Sequence, residues 1–192
     1  MTSATPSEGK STAAAHLAVS HAEQNHRTLL IDGDLRRPSV HRQFNIPGVA
    51  GLSDVLVSQR SWKELLYRPD GIPNLNILPA GPPSRRASDL IGRGIAGLLD
   101  EASQEFDLII VDAPPLLGFA EPLQLATVVD GVLVVARAGQ TDRKAVASVV
   151  NTLRRLRANL IGIVMNEVHQ AMSHSYYYYG HYSKYYRPAP QA

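Results

Sequence analysis

Short apolar runs alternate along the chain with longer stretches in which apolar residues recur at helical spacing. The runs of strand length, nearly continuous in apolar residues, are 28–31, 75–78, 108–111, 132–136 and 160–165. Such runs are typical of strands that are buried on both faces of a parallel sheet. The stretches with helical spacing are 11–24, 87–104, 122–128 and 142–158. The alternation predicts an open, doubly wound α/β sheet with helices on both faces, which binds ligands at the carboxyl ends of its strands.

The periodic patterns end near residue 170. No internal repeat or linker divides the chain before that point, whereas Gly180, Pro188 and Pro190 interrupt the segment after it. We therefore expect one domain over residues 1–169 and a flexible tail over residues 170–192. The tail holds seven of the eight tyrosines: Tyr176, Tyr177, Tyr178, Tyr179, Tyr182, Tyr185 and Tyr186.

The composition narrows the class of protein. Of the 192 residues, 44% are apolar and 19% are charged, which is typical of a globular domain with a core of its own. The lack of cysteine excludes a disulfide scaffold, a cysteine-based zinc site and a thiol nucleophile. A net charge of +2 is too small to indicate a nucleic-acid partner, and we expect none. No apolar run approaches the roughly 20 residues that span a bilayer.

A phosphate-binding loop is predicted at residues 4–11. The segment matches the pattern G-x-x-x-x-G-K-[ST], except that Ala4 replaces the first glycine. In such a loop backbone N–H groups point at phosphate oxygens, and the next helix presents the positive end of its dipole. Lys10 is expected to reach the β- and γ-phosphates, and the Ser11 hydroxyl to bind magnesium. The nucleotide-binding residues predicted here are Thr5, Pro6, Ser7, Glu8, Gly9, Lys10, Ser11 and Thr12.

Two acidic segments follow predicted strands. Residues 29–31 lead into Asp32 and Asp34, and residues 108–111 lead into Asp112. These carboxylates come at the sheet edge from which the phosphate loop emerges, where they can hold magnesium directly or through water. An aspartate before two prolines, as at Asp112, is also typical of a turn, but together with the loop these residues indicate a magnesium-dependent nucleotide site.

The phosphate loop has almost no chain ahead of it. Such a loop follows a strand, and only residues 1–3 are available here. Either the sheet has lost its first strand or the start is truncated. We expect the first strand to be missing and the chain to be the C-terminal part of a longer protein.

Three motifs and the tail together resemble the bacterial tyrosine kinases, or BY-kinases, of capsule and exopolysaccharide export systems. Residues 2–12, TSATPSEGKST, are similar to the Walker A motif of that family, and residues 108–115, LIIVDAPP, to its Walker B motif. Residues 29–38, LLIDGDLRRP, resemble Walker A′, a second motif unique to the family. The segments 51–56 and 78–81 also look like family segments, so the resemblance covers nearly the whole chain.

The resemblance implies an ATP- and Mg²⁺-dependent protein-tyrosine kinase. Lys10 would hold the phosphates of ATP, and Ser11, Asp34 and Asp112 would organise Mg²⁺. Asp32 would orient and deprotonate the attacking tyrosine hydroxyl, which is mostly neutral at pH 7. Positioning and charge stabilisation of the transferring phosphoryl group would supply the rest of catalysis.

Two further residues are assigned by the same resemblance. Arg36 either stabilises charge on the phosphoryl group or forms an ion pair with Asp34 or Asp112. Asn166 ends the last predicted strand, where related ATPases place an asparagine that meets the adenine. Departures from the family occur at Ser7, where glycine is frequent, at residues 82–86, and in the absence of a Glu-x-x-Arg-x-x-Arg assembly motif.

The tyrosine-rich tail is either a low-complexity end or the substrate of the kinase. Beside a nucleotide site we predict that its seven tyrosines are phosphoacceptors. No acidic residue follows Glu167, while Lys184 and Arg187 are positive, which favours approach to an acidic, magnesium-bearing cleft. Seven phosphates would add roughly −10 to −14 charges. We therefore expect autophosphorylation between the subunits of a homo-oligomer, ring-like by the resemblance, which the accumulated charge dissociates.

The resemblance also implies a transmembrane partner. Kinases of this family commonly depend on a polysaccharide co-polymerase or activator domain, either fused ahead of the kinase or supplied as a separate chain. We therefore expect a cytoplasmic location at the inner face of the cell membrane and a role in regulating exopolysaccharide synthesis and export.

Two other functions fit parts of the sequence. A partitioning or septum-site ATPase switch has the same fold, but it usually carries an extra lysine where this chain has Thr5. A non-catalytic nucleotide-binding scaffold would instead use the tail to recruit partners by aromatic stacking, RNA among them.

Overall fold

The structure is a computed structural model that describes residues 1–58 and 60–168. The tail prediction for residues 170–192 lies outside the described residues. The elements are β1 Thr2–Ser3, α1 Lys10–Ala22, β2 Thr28–Asp32, α2 Val40–Gln43, α3 Leu52–Ser58, a 3-10 helix Trp62–Leu65, β3 Leu75–Leu78, α4 Ala87–Ser103, β4 Leu108–Asp112, α5 Glu121–Ala126, β5 Val132–Arg137, α6 Arg143–Arg155 and β6 Leu160–Asn166. In the described part of the chain no helix is long and apolar enough to cross a bilayer.

The strands form two parallel sheets that Met1 joins. One sheet has the order β3-β2-β4 and the other β1-β5-β6. The Met1 amino nitrogen donates to the Val111 carbonyl at 2.6 Å, and the Met1 carbonyl accepts from the Ala113 N–H at 2.9 Å. This bonding continues the parallel ladder from one sheet to the other.

Helices cover both faces of the β3-β2-β4 sheet. Leu30 packs with Ala14 of α1, whereas Leu29 and Ile31 pack with Ile91 of α4. Successive residues of a strand point to opposite faces, so a strand between two helical layers is apolar throughout. The doubly wound α/β fold predicted from these continuous apolar runs is confirmed.

The prediction that the first strand is missing is wrong. Thr2 and Ser3 form a short parallel strand with β5. Backbone and side-chain bonds on the other side hold it: the Leu116 N–H donates to the Ser3 carbonyl at 2.8 Å, and the Thr2 hydroxyl donates to the Pro114 carbonyl at 2.7 Å. The sequence pattern missed this strand because its two residues are polar and form no apolar run.

Strand β6 departs from the burial expected of an apolar run. Its alternate residues Ile161, Ile163 and Met165 are exposed at 65%, 44% and 55%. β6 lies at the edge of its sheet and contacts α6. The exposed residues alternate along the strand, so one face of β6 is left uncovered by the described residues, and an apolar sequence does not ensure burial on both faces.

Candidate functional site

The phosphate loop is shaped by two residues in left-handed conformation. Ser7 has φ 67° and Gly9, which caps α1, has φ 86°. A Cβ on Gly9 would lie 1.9 Å from the Asn166 Nδ2, so no larger residue fits there without displacing Asn166. At Ser7 the same backbone conformation costs an L-residue about 1–2 kcal/mol. The remaining loop residues Thr5 and Pro6 are exposed, as is Thr12 in the first turn of α1.

The buried carboxylate of Glu8 holds the start of the loop by hydrogen bonds. Its side chain is buried, with the residue 3% exposed. Its Oε2 accepts the N–H groups of Ala4 at 2.8 Å and Thr5 at 3.1 Å, and its Oε1 accepts the hydroxyls of Thr5 at 2.9 Å and Thr141 at 2.7 Å. Four donors therefore satisfy both oxygens. The N–H groups left for a phosphate are those at the start of α1, which have no partner inside the helix.

A residue at the end of β6 and a residue that follows β5 hold the loop against the sheet by hydrogen bonds. Asn166 ends β6 and donates from Nδ2 to the Glu8 carbonyl at 3.1 Å. Thr141 lies between β5 and α6, and its hydroxyl accepts the Arg137 N–H at 2.7 Å. The structure thus brings Asn166 to the predicted nucleotide loop. Thr141 lies in no sequence motif, and the available signal was its place after β5, at the ligand-binding edge.

Lys10 lies among the predicted metal ligands. Its Nζ is 3.2 Å from the Asp34 Oδ2, 3.5 Å from the Asp112 Oδ1 and 3.2 Å from the Ser11 Oγ. The Asp34 Oδ1 accepts the Arg37 N–H at 3.0 Å. Residues from the loop, from the end of β2 and from the end of β4 therefore meet at one point, as predicted from the strand ends.

Asp112 is fully buried, and neither of its carboxylate oxygens has a hydrogen bond of normal geometry from the described residues, although the Ser11 hydroxyl and the Lys10 ammonium lie near it. Burial raises the pKa of this carboxyl, and the charge of Lys10 offsets part of the rise. No group of three histidine or acidic side chains close enough to hold a metal occurs in residues 1–58 and 60–168. A magnesium ion suits a site with fewer carboxylates, since it keeps waters and binds phosphates. Asp34, Asp112 and Ser11 fit that description.

Asp32 is also fully buried, but its carboxylate is well bonded. Its Oδ1 accepts the Asp34 N–H at 3.2 Å, and its Oδ2 accepts the N–H groups of Ser39 and Val40 at 3.0 Å each. Burial, followed by the charge of Asp112, raises the Asp32 pKa to about 7 against the opposing effect of the three N–H groups. A carboxyl with a pKa near neutrality suits a general base.

Of the two alternatives for Arg36, the ion pair with Asp34 or Asp112 is wrong. The Arg36 Nε bonds the Glu121 Oε1 at 2.8 Å, and its guanidinium lies over the Phe119 ring at 5.0 Å. Glu121 is fully buried at the start of α5, which brings it within reach of the arginine. Glu121 lies in no sequence motif, and the available signal was its position directly before the predicted helix 122–128.

Comparisons with protein families, with curated proteins and with solved structures point to related proteins. A family model described as an AAA domain matches residues 7–164. The chain is 36% identical over 181 residues to the tyrosine-protein kinase YwqD of Bacillus subtilis, covering 94% of this chain and 76% of the relative. It is 31% identical over 169 residues to the succinoglycan biosynthesis transport protein ExoP of Rhizobium meliloti, covering 86% and 21%. The solved kinase domain of the Escherichia coli tyrosine kinase ETK superposes with a TM-score of 0.81 at 29% identity, over 91% of this chain and 70% of that one.

Proposed function

Because this chain belongs to the AAA domain family and to the bacterial tyrosine-protein kinases, we propose that it transfers the γ-phosphoryl group of ATP to tyrosine. The observation that carries the proposal is the meeting of Lys10, Asp34 and Asp112 at the phosphate loop. Incubation with Mg²⁺ and ATP, followed by phosphotyrosine mass spectrometry, tests it. Released phosphate without phosphotyrosine would favour the ATPase switch, and neither product would favour the scaffold.

Different groups of the chain bind the nucleotide and the metal. The N–H groups at the start of α1 and Lys10 bind phosphates, while Ser11, Asp34 and Asp112 hold Mg²⁺. The unpartnered, buried oxygens of Asp112 support this assignment. Bound Mg²⁺ and ATP supply the phosphoryl group and neutralise its charge. Contact between Asn166 and adenine also belongs to the proposal.

Asp32 accepts the proton of the tyrosine hydroxyl. Its pKa of about 7 supports this role. Its Oδ1 accepts a single N–H and keeps a free lone pair, but Asp32 is fully buried, so binding of the tyrosine requires a movement that exposes its carboxylate. Arg36 stabilises the transferred charge only after it leaves Glu121. We expect Asp32→Asn to remove the rise of the phosphorylation rate near pH 7, whereas an unchanged pH profile would exclude Asp32 as the base.

The seven tail tyrosines, 176–179, 182, 185 and 186, are the proposed acceptors, phosphorylated between subunits of a homo-oligomer. Support comes from β6, whose last residue Asn166 touches the loop, so that the segment leading to the tail leaves the sheet beside the site. A mixture of a Lys10→Met chain and a tail-deleted chain tests transfer between subunits. Phosphotyrosine on the Lys10→Met chain is expected, and its absence would contradict transfer between subunits.

A membrane-spanning activator of polysaccharide export is the proposed partner, fused or separate, and places the kinase at the inner face of the membrane. The match to ExoP, named as a transport protein, supports this association, and this chain covers 21% of ExoP. Addition of the activator's cytoplasmic segment should raise the rate of tyrosine phosphorylation. An unchanged rate over a range of activator concentrations would contradict the partnership.

We also propose that a longer β1, extending ahead of Met1, completes the kinase domain of residues 1–169. β4 pairs with β2 along all five residues, but on its other side the described residues bond only its carboxyl end, at Val111 and Ala113. A cavity of about 500 Å³ follows this open edge and is lined by Leu108, Ile110, Leu133 and Ile161, among others.

An extension of the chain tests this completion. Lys-Val-Ile-Val placed ahead of Met1 should raise the melting temperature by several degrees, because it buries apolar side chains and adds ladder bonds. Lys-Ser-Asn-Ser is the matched control and should give a smaller rise. Equal melting temperatures for the two extended chains would exclude an apolar strand in the cavity.

A further inference from the structure

The hydrogen bond between Glu8 and Thr141 joins two segments that lie far apart in the sequence. We propose that Thr141 is a positioning residue for the nucleotide, which acts by fixing Glu8 and through it the start of the phosphate loop. The inference rests on the proposed nucleotide-binding function. The ligand is a nucleotide with a β-phosphate, since that phosphate lies against the loop.

The hydroxyl of Thr141 has a defined direction. It accepts the Arg137 N–H at 2.7 Å, and Arg137 belongs to β5. A hydroxyl carries a single proton, and here the proton is directed to the Glu8 Oε1 at 2.7 Å. The rigid end of a central strand thus orients the donor that holds the Glu8 carboxylate.

Glu8 needs this donor because a carboxylate beside bound phosphates is electrostatically unfavourable. The Glu8 carboxylate accepts hydrogen bonds from the N–H groups of Ala4 and Thr5 and from two hydroxyls, which stabilise its charge. The second hydroxyl belongs to Thr5, which is exposed and lies in the loop itself. Thr141 is therefore the side chain that fixes the Glu8 carboxylate from outside the loop, while Asn166 bonds its backbone carbonyl.

Removal of the Thr141 hydroxyl should loosen the loop start before the nucleotide binds. The loop backbone from Ala4 to Glu8 then has to be ordered during binding, which weakens affinity without altering the transferred group. Loss of one hydrogen bond to a charged group corresponds to a decrease of about tenfold in affinity. The KM for ATP should rise while kcat stays within about twofold.

The experiment compares Thr141→Val, which has the same shape without the hydroxyl, with Thr141→Ser, which keeps it. Thr127→Val is the matched control, because the exposed Thr127 hydroxyl bonds the Gln124 carbonyl at the end of α5. Titration calorimetry with Mg²⁺ and ATP, or ADP, should show about tenfold weaker binding for Thr141→Val. Thr141→Ser and the control should stay within about twofold.

The same substitutions in a Glu8→Ala chain distinguish positioning from a local structural role. If Thr141 acts through Glu8, Thr141→Val should weaken binding less than about twofold in that background. An equal effect in both backgrounds, or no effect in either, would overturn the proposal. Glu8→Gln replaces Glu8→Ala if the latter does not fold. Failure of the unmodified chain to bind ATP would instead contradict the proposed function itself.

Discussion

Two carboxylates at the same edge of the sheet are almost equally buried and are in opposite bonding states. The oxygens of Glu8 accept four hydrogen bonds, whereas those of Asp112 accept none from the described residues. Buried polar groups are normally satisfied, so the exception marks a place where a further group belongs. On the loop side of the site, around Glu8, every buried carboxylate oxygen is bonded. On the carboxylate side, at Asp34 and Asp112, unbonded oxygens remain at the place proposed for Mg²⁺.

The two sides also differ in charge. Glu8 is held by neutral donors, while Asp34 and Asp112 share the single ammonium of Lys10. A dication held by Asp34 and Asp112 would reduce the repulsion between them and would leave Lys10 available for phosphates. Of the two sides of the site, the repulsion between like charges in the folded chain is therefore confined to the side of Asp34 and Asp112.

The largest effect is expected from the residue that connects the two sides. Lys10→Met keeps the length of the side chain and removes its charge, so phosphates and carboxylates both lose their cation. We expect the rate of tyrosine phosphorylation to fall at least about a hundredfold, as for other groups that stabilise transition-state charge. Initial rates measured by phosphotyrosine blotting check this, with the exposed Lys144→Met as control. A rate above a tenth of the original would show that loop N–H groups hold the phosphates without Lys10.

The next largest effect is on stability, where substitutions of Glu8 and Asp112 should change the free energy of unfolding in opposite directions. Glu8→Ala leaves buried donors unsatisfied and should lower the free energy of unfolding of the metal-free protein by about 2–3 kcal/mol. Asp112→Ala removes a buried carboxylate that accepts no hydrogen bond and that repels Asp34, which keeps Lys10, so it should raise this free energy by about 1 kcal/mol, although activity is lost. Urea denaturation in the presence of a chelator measures both. Changes of the same sign would contradict the contrast between the two sides.

The pH dependence of stability tests the carboxylate side further. Between its ordinary pKa of 3.8 and its folded value of about 7, Asp32 binds a proton in the folded state and not in the unfolded state. The metal-free protein should therefore lose stability as the pH rises from about 4 to 7, by up to about 1.4 kcal/mol per pH unit. The raised pKa of Asp112 acts in the same direction.

Substitution of the titrating group checks that assignment. Asp32→Asn should flatten the decline, measured by urea denaturation at a series of pH values with a chelator present. The exposed Asp70→Asn is the control and should leave the slope unchanged. A slope that persists in Asp32→Asn would assign the titration to another group, Asp112 first.

The contrast between the two sides also explains what the sequence could predict. Lys10, Asp34 and Asp112 were identified because each lies in a contiguous motif next to a strand end, and parallel strands end at one edge. Thr141 and Glu121 lie 133 and 85 residues from their partners, and their contacts depend on side-chain directions that no periodic pattern encodes. The same limit applies to the fold. The apolar runs predicted five strands, but whether β6 is central or at an edge depends on which strands pair with it.

The smallest effect concerns Ser7, the loop residue whose backbone favours glycine. Its φ of 67° is unfavourable for serine, so Ser7→Gly removes strain in the folded chain but also increases the freedom of the unfolded chain. The two effects oppose each other, and we expect the free energy of unfolding to change by less than about 1 kcal/mol. If the bonds of Glu8 set the shape of the loop, nucleotide affinity should change less than about threefold. Titration calorimetry measures it, with Ser7→Ala as a control that keeps the unfavourable φ. A loss of more than about tenfold in Ser7→Gly alone would show that the restricted backbone of Ser7, and not Glu8, holds the loop ready for phosphates.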